Sequence, residues 1–130
     1  MLSTMPLVSI VVPCYNEDEA LPFFVKKITE TANEMPQVDF EYVFVDDGSQ
    51  DNTLACLRRL HEKNSAFRYV SFSRNFGKEA AMLAGLEAAT GDYIVIIDAD
   101  LQDSPELIPE MYEIVAGGEY DCVATRRTSR

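Results

Sequence analysis

The sequence predicts an α/β domain with a doubly wound, mostly parallel sheet and helices on both faces. Three observations carry this expectation. Short apolar runs alternate with amphipathic stretches along almost the whole chain, the pattern of repeated strand and helix units joined by right-handed crossovers. The run Ile94 to Ile97 is β-branched without polar alternation, as expected of a strand buried on both faces of a parallel sheet. Polar loops follow three of the expected strands, at Cys14 to Glu19, Asp46 to Ser49 and Asp98 to Asp103. With strand order 3-2-1-4, strands one and four adjoin at the switch point, where ligands bind beyond the carboxyl ends of the strands.

Leu7 to Val12 reads as the first strand, stopped by Pro13, with Met1 to Pro6 as a lead-in. Helix one starts near Ala20, because Pro22 is tolerated only in a first turn, and it places Leu21, Phe24, Val25 and Ile28 on one face. Met35-Pro36 ends it, and Phe40 to Val45 forms the second strand. Asp51 or Asn52 caps a second helix with Leu54, Leu57, Leu60 and a solvated His61 along one side. Phe67 to Phe72 is the third strand. The loop Ser73 to Lys78 leads to an Ala-rich helix from about Glu79 to Thr90, whose small face permits close packing and which Gly91 stops. The fourth strand, Ile94 to Ile97, should lie mid-sheet. Ser104-Pro105-Glu106 opens the last helix, Leu107, Ile108, Met111, Ile114 and Val115 form its buried stripe, and Pro109 is a point for a kink. Gly117-Gly118 ends it, and Tyr120 to Thr125 gives a fifth strand before the basic run Arg126 to Arg130.

A chain of 130 residues is one domain with room for a real core. Its formal net charge of -11 argues against a nucleic-acid surface and against unaided attraction to anionic lipid, and favours a small ligand accompanied by a cation. Cys14, Cys56 and Cys122 are odd in number and lack metal-type spacing, which reads as reduced thiols in a cytoplasmic protein. No apolar run approaches the ~20 residues that span a bilayer, and no signal-peptide pattern opens the chain. A soluble chain is expected.

Asp98 and Asp100 follow the fourth strand two residues apart, so an extended backbone would aim both carboxylates the same way. Paired carboxylates suit a hard divalent cation, which completes its shell with water and phosphate oxygens. Acids at strand ends equally suit turn and helix capping. A dinucleotide fingerprint or a P-loop would stand after strand one, where the chain instead has Pro13-Cys14-Tyr15-Asn16-Glu17. Phosphate must then be neutralised by a cation. A receiver domain would carry its acid pair after the first strand, whereas these acids follow strands two and four.

Val12-Pro13-Cys14-Tyr15-Asn16-Glu17, Val45-Asp46-Asp47-Gly48-Ser49-Gln50-Asp51 and Asp98-Ala99-Asp100-Leu101-Gln102-Asp103, in this order and spacing, resemble family 2 glycosyltransferases of the GT-A fold. Within that family, Ser73 to Glu79, Asp100 to Glu106 and the closing Arg126 to Arg130 look like the bacterial polyprenyl-phosphate glycosyltransferases and dolichyl-phosphate mannose synthases. The resemblance covers nearly the whole chain.

It implies that Pro13, Tyr15 and Glu17 line a nucleoside pocket, that Asp47, with or without Asp46, contacts base or ribose, and that Lys78 and Arg126 meet the donor phosphates. Asp98, Asp100 and Gln102 look like the set that holds Mg²⁺ or Mn²⁺ and the diphosphate. Each has a plainer reading: turn capping for Asp46 and Asp47, surface charge for Lys78 and Arg126, packing for Tyr15 and Phe76, a helix cap for Asp103. The implied reaction is inverting transfer from a nucleotide-sugar, a UDP-sugar by this reading, to a polyprenyl phosphate. Transfer to a sugar hydroxyl and a non-catalytic nucleotide-binding module are the alternatives. No catalytic base is identified. A phosphate acceptor, already anionic, needs little help from one, whereas a hydroxyl acceptor does. Family members continue past the arginine cluster with an acceptor-side segment, and the polyprenyl-phosphate branch adds membrane helices. The chain is accordingly expected to be a donor-binding portion, to associate with a membrane only through such segments, and to transfer sugar to lipid poorly by itself.

Overall fold

The computed structural model describes residues 5–100, 105–117 and 122–124. Strands and helices alternate as β1 (Leu7–Cys14), α1 (Leu21–Asn33), β2 (Asp39–Asp46), α2 (Thr53–Lys63), β3 (Phe67–Ser71), α3 (Lys78–Ala88), β4 (Tyr93–Ile96), a 3-10 turn (Pro105–Leu107), α4 (Ile108–Ala116) and β5 (Cys122–Ala124). The sheet runs β3-β2-β1-β4-β5, and every pairing is parallel. This is the expected 3-2-1-4 order with β5 added beyond β4, so β1 is central.

Side chains alternate between the two faces, and the helices divide accordingly. Val8, Ile10, Val12, Val95 and Ile97 pack with Leu21, Phe24 and Ile28 of α1, Leu57 of α2, and Ile108 and Met111 of α4. Val11, Val43, Val45 and Ile96 face the other way, toward Ala81 of α3. Here α3 lies close to the sheet. A Cβ at Gly85 would stand 2.3 Å from Cγ1 of the fully buried Val11.

Pro13 does not stop β1, which continues to Cys14 opposite Asp46. Val11 C=O accepts Ile97 N–H on the β4 side and Cys14 C=O accepts Asp47 N–H on the β2 side. By alternation the position of Pro13 faces β4, where the next ladder bond would need an N–H at residue 13 for Ile97 C=O, so the β1–β4 ladder ends at Val11 and Ile96. Pairing with β2 on the other side continues through Cys14, so the proline costs only the last bond on the side where the ladder stops, the kind of place in which a sheet tolerates it.

Other expectations are revised. Gly91 does not terminate α3, which ends at Ala88 with Ala89 in extended backbone. Its hydrogen side chain instead permits close contact with β1, because a Cβ would meet Ser9 Oγ at 2.6 Å and Leu7 C=O at 2.7 Å. The last helix is divided, with the 3-10 turn before α4, so Pro109 is the second residue of α4 and breaks no intrahelical bond. Of its expected stripe, Ile108 and Met111 are buried while Leu107 and Ile114 are exposed, because this short helix has only one face on the sheet. The side chain of Val115 and residues Met1 to Thr4, Leu101 to Ser104, Gly118 to Asp121 and Thr125 to Arg130 lie outside the described residues. His61 is anchored, its Nδ1 2.8 Å from Phe67 C=O and its ring edge-on to Tyr69.

At the N-terminal edge of the sheet lies a polar cluster that the sequence did not announce. Glu41, buried on β2, accepts hydrogen bonds from the Ser9 hydroxyl at 2.5 Å, Thr90 N–H at 2.6 Å, the Thr90 hydroxyl at 3.0 Å and the Arg68 guanidinium at 2.8 Å. Arg68 also reaches Ala88 C=O, and Gly91 N–H donates to Ser9 Oγ. Burial pushes the Glu41 carboxyl up, but these hydrogen bonds outweigh it and hold it below its ordinary value. The cluster ties the end of α3 to β1 and β2.

Candidate functional site

The opposite edge of the sheet, where β1, β2 and β4 end, opens into a cleft of about 170 Å³. Pro13, Cys14, Tyr15 and Glu17 enter it from the end of β1, and Asp47 from the end of β2. Lys78 and Ala81 of α3 and Asp98 and Asp100 beyond β4 complete the lining. The sheet order is what brings these separate segments together, since β1 and β4 are neighbours only because the chain reverses after β3.

The loops are knitted to one another before any ligand is considered. Asn16 adopts a left-handed conformation with φ 54°, one that Asn tolerates better than most residues, and bridges to the β2 loop. Its N–H donates to Ser49 Oγ at 2.8 Å, and its Oδ1 accepts Gln50 N–H at 2.9 Å. Glu17 N–H donates to Thr53 Oγ1 at 2.9 Å, which fixes the backbone from which the Glu17 side chain enters the cleft. Asp51 caps α2 by accepting Thr53 N–H at 2.9 Å, although Asn52 occupies the formal cap position without a side-chain bond. Gly48, at φ +72°, lets the β2 turn pass against the loop before α3, where a Cβ would lie 2.2 Å from Arg74 carbonyl carbon.

Asp46 and Asp47 have different tasks despite their adjacency. Asp46 is buried outside the cleft lining and accepts Ser49 N–H at 3.1 Å, the turn-capping role. Asp47, 4% exposed, reaches the cleft, yet its carboxylate accepts Phe76 N–H at 2.7 Å and Gly77 N–H at 3.1 Å. It therefore anchors the loop from which Lys78 starts α3. Phe76 is not a core residue: its ring is half-exposed, edge-on to Phe72, with the Arg74 guanidinium 4.5 Å from its centre.

Acids dominate the electrostatics. Burial and then Asp100, Asp98 and Asp51 push the Glu17 carboxyl above its ordinary value. Burial, together with the carboxylates of Glu17, Asp46, Asp98 and Asp51, pushes the Cys14 thiol well above its ordinary value. Lys78 Nζ lies 2.8 Å from Asp98 Oδ2 and is the one cation among the described residues of the lining. The chain turns at Ala99 and Asp100 rather than staying extended, but both carboxylates still line the cleft. No group of three or more His, Cys, Asp or Glu placed to hold a metal occurs among the described residues. Gln102 and Arg126, the other expected site residues, lie outside them.

Sequence reading thus named seven residues that the fold brings together: Pro13, Tyr15, Glu17, Asp47, Lys78, Asp98 and Asp100. It gave no role to Asn16, Ser49 and Thr53, which hold the loops. An Asn directly after a strand, facing a Ser and a Thr across the next loop, was the available signal.

Comparison with known proteins follows the same line. The model of glycosyl transferase family 2 matches residues 9–130. A prophage bactoprenol glucosyl transferase homolog of Escherichia coli (strain K12) is 44% identical over 123 residues, 95% of this chain and 40% of that protein. An undecaprenyl-phosphate 4-deoxy-4-formamido-L-arabinose transferase of Pseudomonas syringae is 44% identical over 124 residues, 95% of this chain and 36% of that protein. The mannosyltransferase PcManGT from Pyrobaculum calidifontis, solved in complex with GDP-Man and Mn²⁺, superposes with a TM-score of 0.71 at 29% identity, over 88% of this chain and 33% of that one. The chain therefore spans well under half the length of these proteins. Its α/β architecture is that of the GT-A glycosyltransferases, and the chain belongs to glycosyl transferase family 2.

Proposed function

We propose that this chain is the donor-binding part of an inverting glycosyltransferase that moves a sugar from a nucleoside diphosphate, with UDP as the nucleotide, to a polyprenyl phosphate. The observation that carries this reading is the charge of the cleft, where Glu17, Asp98 and Asp100 stand against the single cation Lys78 among the described lining. A diphosphate enters such a site only in company with a cation. The oxygen donors of Asp98 and Asp100 on one short turn fit Mg²⁺ or Mn²⁺, with Gln102 as the further donor implied by family resemblance. Bound there, the cation would act as a Lewis acid that stabilises the diphosphate as it leaves. The named acceptors of the bactoprenol and undecaprenyl-phosphate relatives, and the GDP-Man and Mn²⁺ bound by PcManGT, support the same reading.

The remaining roles follow from placement. Tyr15, a 43% exposed residue of the cleft lining, offers a ring against which a nucleoside can lie, with Pro13 and Glu17 in the same lining. Lys78 stands at the N-terminus of α3, where the helix dipole also favours phosphate, and exchanges Asp98 for a phosphate oxygen as the donor enters. Asp47 holds the loop before Lys78 in position, and Arg126 is the second phosphate contact by resemblance. A polyprenyl phosphate is an anion at neutral pH and attacks without a base, in keeping with a cleft whose acids are committed to cation and loop.

Calorimetry of UDP and GDP with and without Mn²⁺ tests the reading. UDP binding that needs Mn²⁺, is abolished by EDTA and falls in Asp98→Asn and Asp100→Asn is expected. Affinity indifferent to EDTA and to both substitutions would remove the metal. Incubation with radiolabelled UDP-glucose and undecaprenyl phosphate tests the acceptor, with at most slow glycolipid formation expected from these 130 residues.

A further inference from the structure

The connection from β1 to α1 is tied to the loop after β2 more heavily than closing the chain requires. The core already fixes its two ends, since Cys14 and Leu21 are each 1% exposed. Between them, three consecutive backbone N–H groups nevertheless donate to side chains of the second loop. Asn16 N–H reaches Ser49 Oγ at 2.8 Å, Glu17 N–H reaches Thr53 Oγ1 at 2.9 Å, and Asp18 N–H reaches Asp51 Oδ2 at 3.3 Å. The second loop answers with Gln50 N–H to Asn16 Oδ1 at 2.9 Å and Asn52 N–H to Asp18 Oδ2 at 3.2 Å. Thr53 is the buried centre of this clasp, 0% exposed. Its hydroxyl proton goes to Asp51 Oδ1 at 2.5 Å, which leaves a lone pair for Glu17 N–H. The Glu17 carbonyl in turn accepts Ala20 N–H at 3.1 Å and Leu21 N–H at 2.9 Å. Both backbone groups of Glu17 are therefore held, and its side chain is the part left to serve the cleft.

Neither Asn16 nor Thr53 lines the cleft, whereas Tyr15 and Glu17, the neighbours of Asn16 on either side, both do. We propose that Asn16 and Thr53 are positioning residues that set the affinity for the nucleoside half of the donor, by holding Tyr15 and Glu17 in the geometry that receives it. The inference rests on the reading of the cleft as a nucleotide-sugar site, and adds to it two residues outside the cleft. Its physical basis is preorganisation. A site whose binding-competent form is only a fraction of the population binds with an affinity reduced by that fraction. With the clasp closed, the loop is held in that form before a ligand enters. Removing Thr53 Oγ1 leaves a partly buried Glu17 N–H without its acceptor, a loss large enough to lower the competent fraction to about one in ten. The effect belongs to one end of the cleft, because Asp98 and Asp100 stand beyond β4 and Lys78 starts α3, all on other segments.

The test is calorimetry of the 130-residue chain with UDP, UMP and pyrophosphate, each in the presence of Mn²⁺. Thr53→Val, which keeps the shape and removes the hydroxyl, should weaken UDP and UMP by the same factor, about tenfold, and leave pyrophosphate unchanged. Thr53→Ser should restore both nucleotides. Asn16→Gly accepts the φ of 54° and loses only the side chain. Asn16 is exposed, so water replaces part of its lost bond, and a weakening of about threefold is expected. Amide hydrogen exchange gives a readout without ligand: Glu17 N–H should lose protection in Thr53→Val and regain it in Thr53→Ser. A loss of global stability alone would lower Tm without separating the nucleotides from pyrophosphate. If Thr53→Val does not fold, Asn16→Gly decides by the same comparison. Folded variants that bind UDP like the parent, a Glu17 amide still protected in Thr53→Val, or equal weakening of UDP and pyrophosphate each overturn the inference and leave the glycosyltransferase reading in place. A parent chain that binds no nucleotide overturns that reading, and this inference with it.

Discussion

Replacing Asp47 by Ala separates an anchoring role from a ligand-contacting one. The substitution removes a buried carboxylate that holds two backbone donors, Phe76 N–H at 2.7 Å and Gly77 N–H at 3.1 Å. Hydrogen bonds to charged groups contribute about 1.5 to 3 kcal/mol each. The loop is half-open to water, which can partly replace the lost acceptor, so the lower end applies to each bond and the loss is about 3 kcal/mol. For a chain of this length that corresponds to a fall in Tm of roughly 10 °C. Asp47→Asn keeps a carbonyl oxygen for Phe76 N–H and should lose about half as much. Thermal and urea unfolding followed by circular dichroism measure the effect, and calorimetry with UDP and Mn²⁺ follows the site. If Asp47→Ala unfolds within about 2 °C of the parent yet binds UDP at least about tenfold more weakly, the carboxylate serves the ligand directly and the anchoring account is wrong.

Three further outcomes are expected. Glu41 is held below its ordinary value of 4.5, so its stabilising effect is complete above that value and is lost as pH falls toward the lower folded value. Glu41→Gln should flatten this acid limb in urea midpoints measured against pH, and a limb unchanged in the variant would assign it to another carboxylate. Gly85→Ala gains about 1 kcal/mol of helix propensity but drives a Cβ to 2.3 Å from buried Val11, so net destabilisation of roughly 1 to 2 kcal/mol is expected, and a stabilised variant would show that α3 sits further from the sheet. Cys14, buried and held protonated, should resist iodoacetamide at pH 8 while the partly exposed Cys56 reacts, and peptide mapping that finds Cys14 alkylated first would contradict the burial of the cleft floor.

How much of this was legible in the sequence depends on the range of the interaction concerned. The elements were legible because burial on a sheet imposes local periodicity, as in Ile94 to Ile97 and the Leu21, Phe24 and Ile28 stripe. The switch-point cleft was legible because three polar loops follow strands that the 3-2-1-4 order brings to one edge, although any one of their acids could equally have been a cap. What escaped were pairings between distant segments. Gly91 after a helix has the local signature of a terminator, and only its register against Ser9, 82 residues away, shows that it is there for close approach. Glu41 in the second strand appeared as an isolated polar residue, because its partners Ser9, Arg68 and Thr90 come from three other parts of the chain. Asp46 and Asp47 were indistinguishable by composition, and the alternation of strand faces gave one to the turn and the other to the cleft.

The two ends of the sheet treat a glutamate in opposite ways, and the contrast bears on where chemistry occurs. At the N-terminal edge, Glu41 is surrounded by donors, so its charged form is favoured and its freedom is removed. At the C-terminal edge, burial and then the nearby Asp100, Asp98 and Asp51 carboxylates act on Glu17, with no donor to its carboxylate among the causes, so its charged form is disfavoured. A fold selected for stability alone would not gather like charges where β1, β2 and β4 end, because each additional carboxylate raises the cost of the others. Lys78 offsets this only in part, since it is 60% exposed and meets Asp98 alone. On the proposed donor-binding role, a divalent cation arriving with its phosphate ligand would add positive charge to this cluster of acids. On the same role, Mn²⁺ with UDP should raise the unfolding midpoint of the parent chain, and should raise it less in Asp98→Asn and Asp100→Asn, as linkage requires of a ligand that binds the folded state.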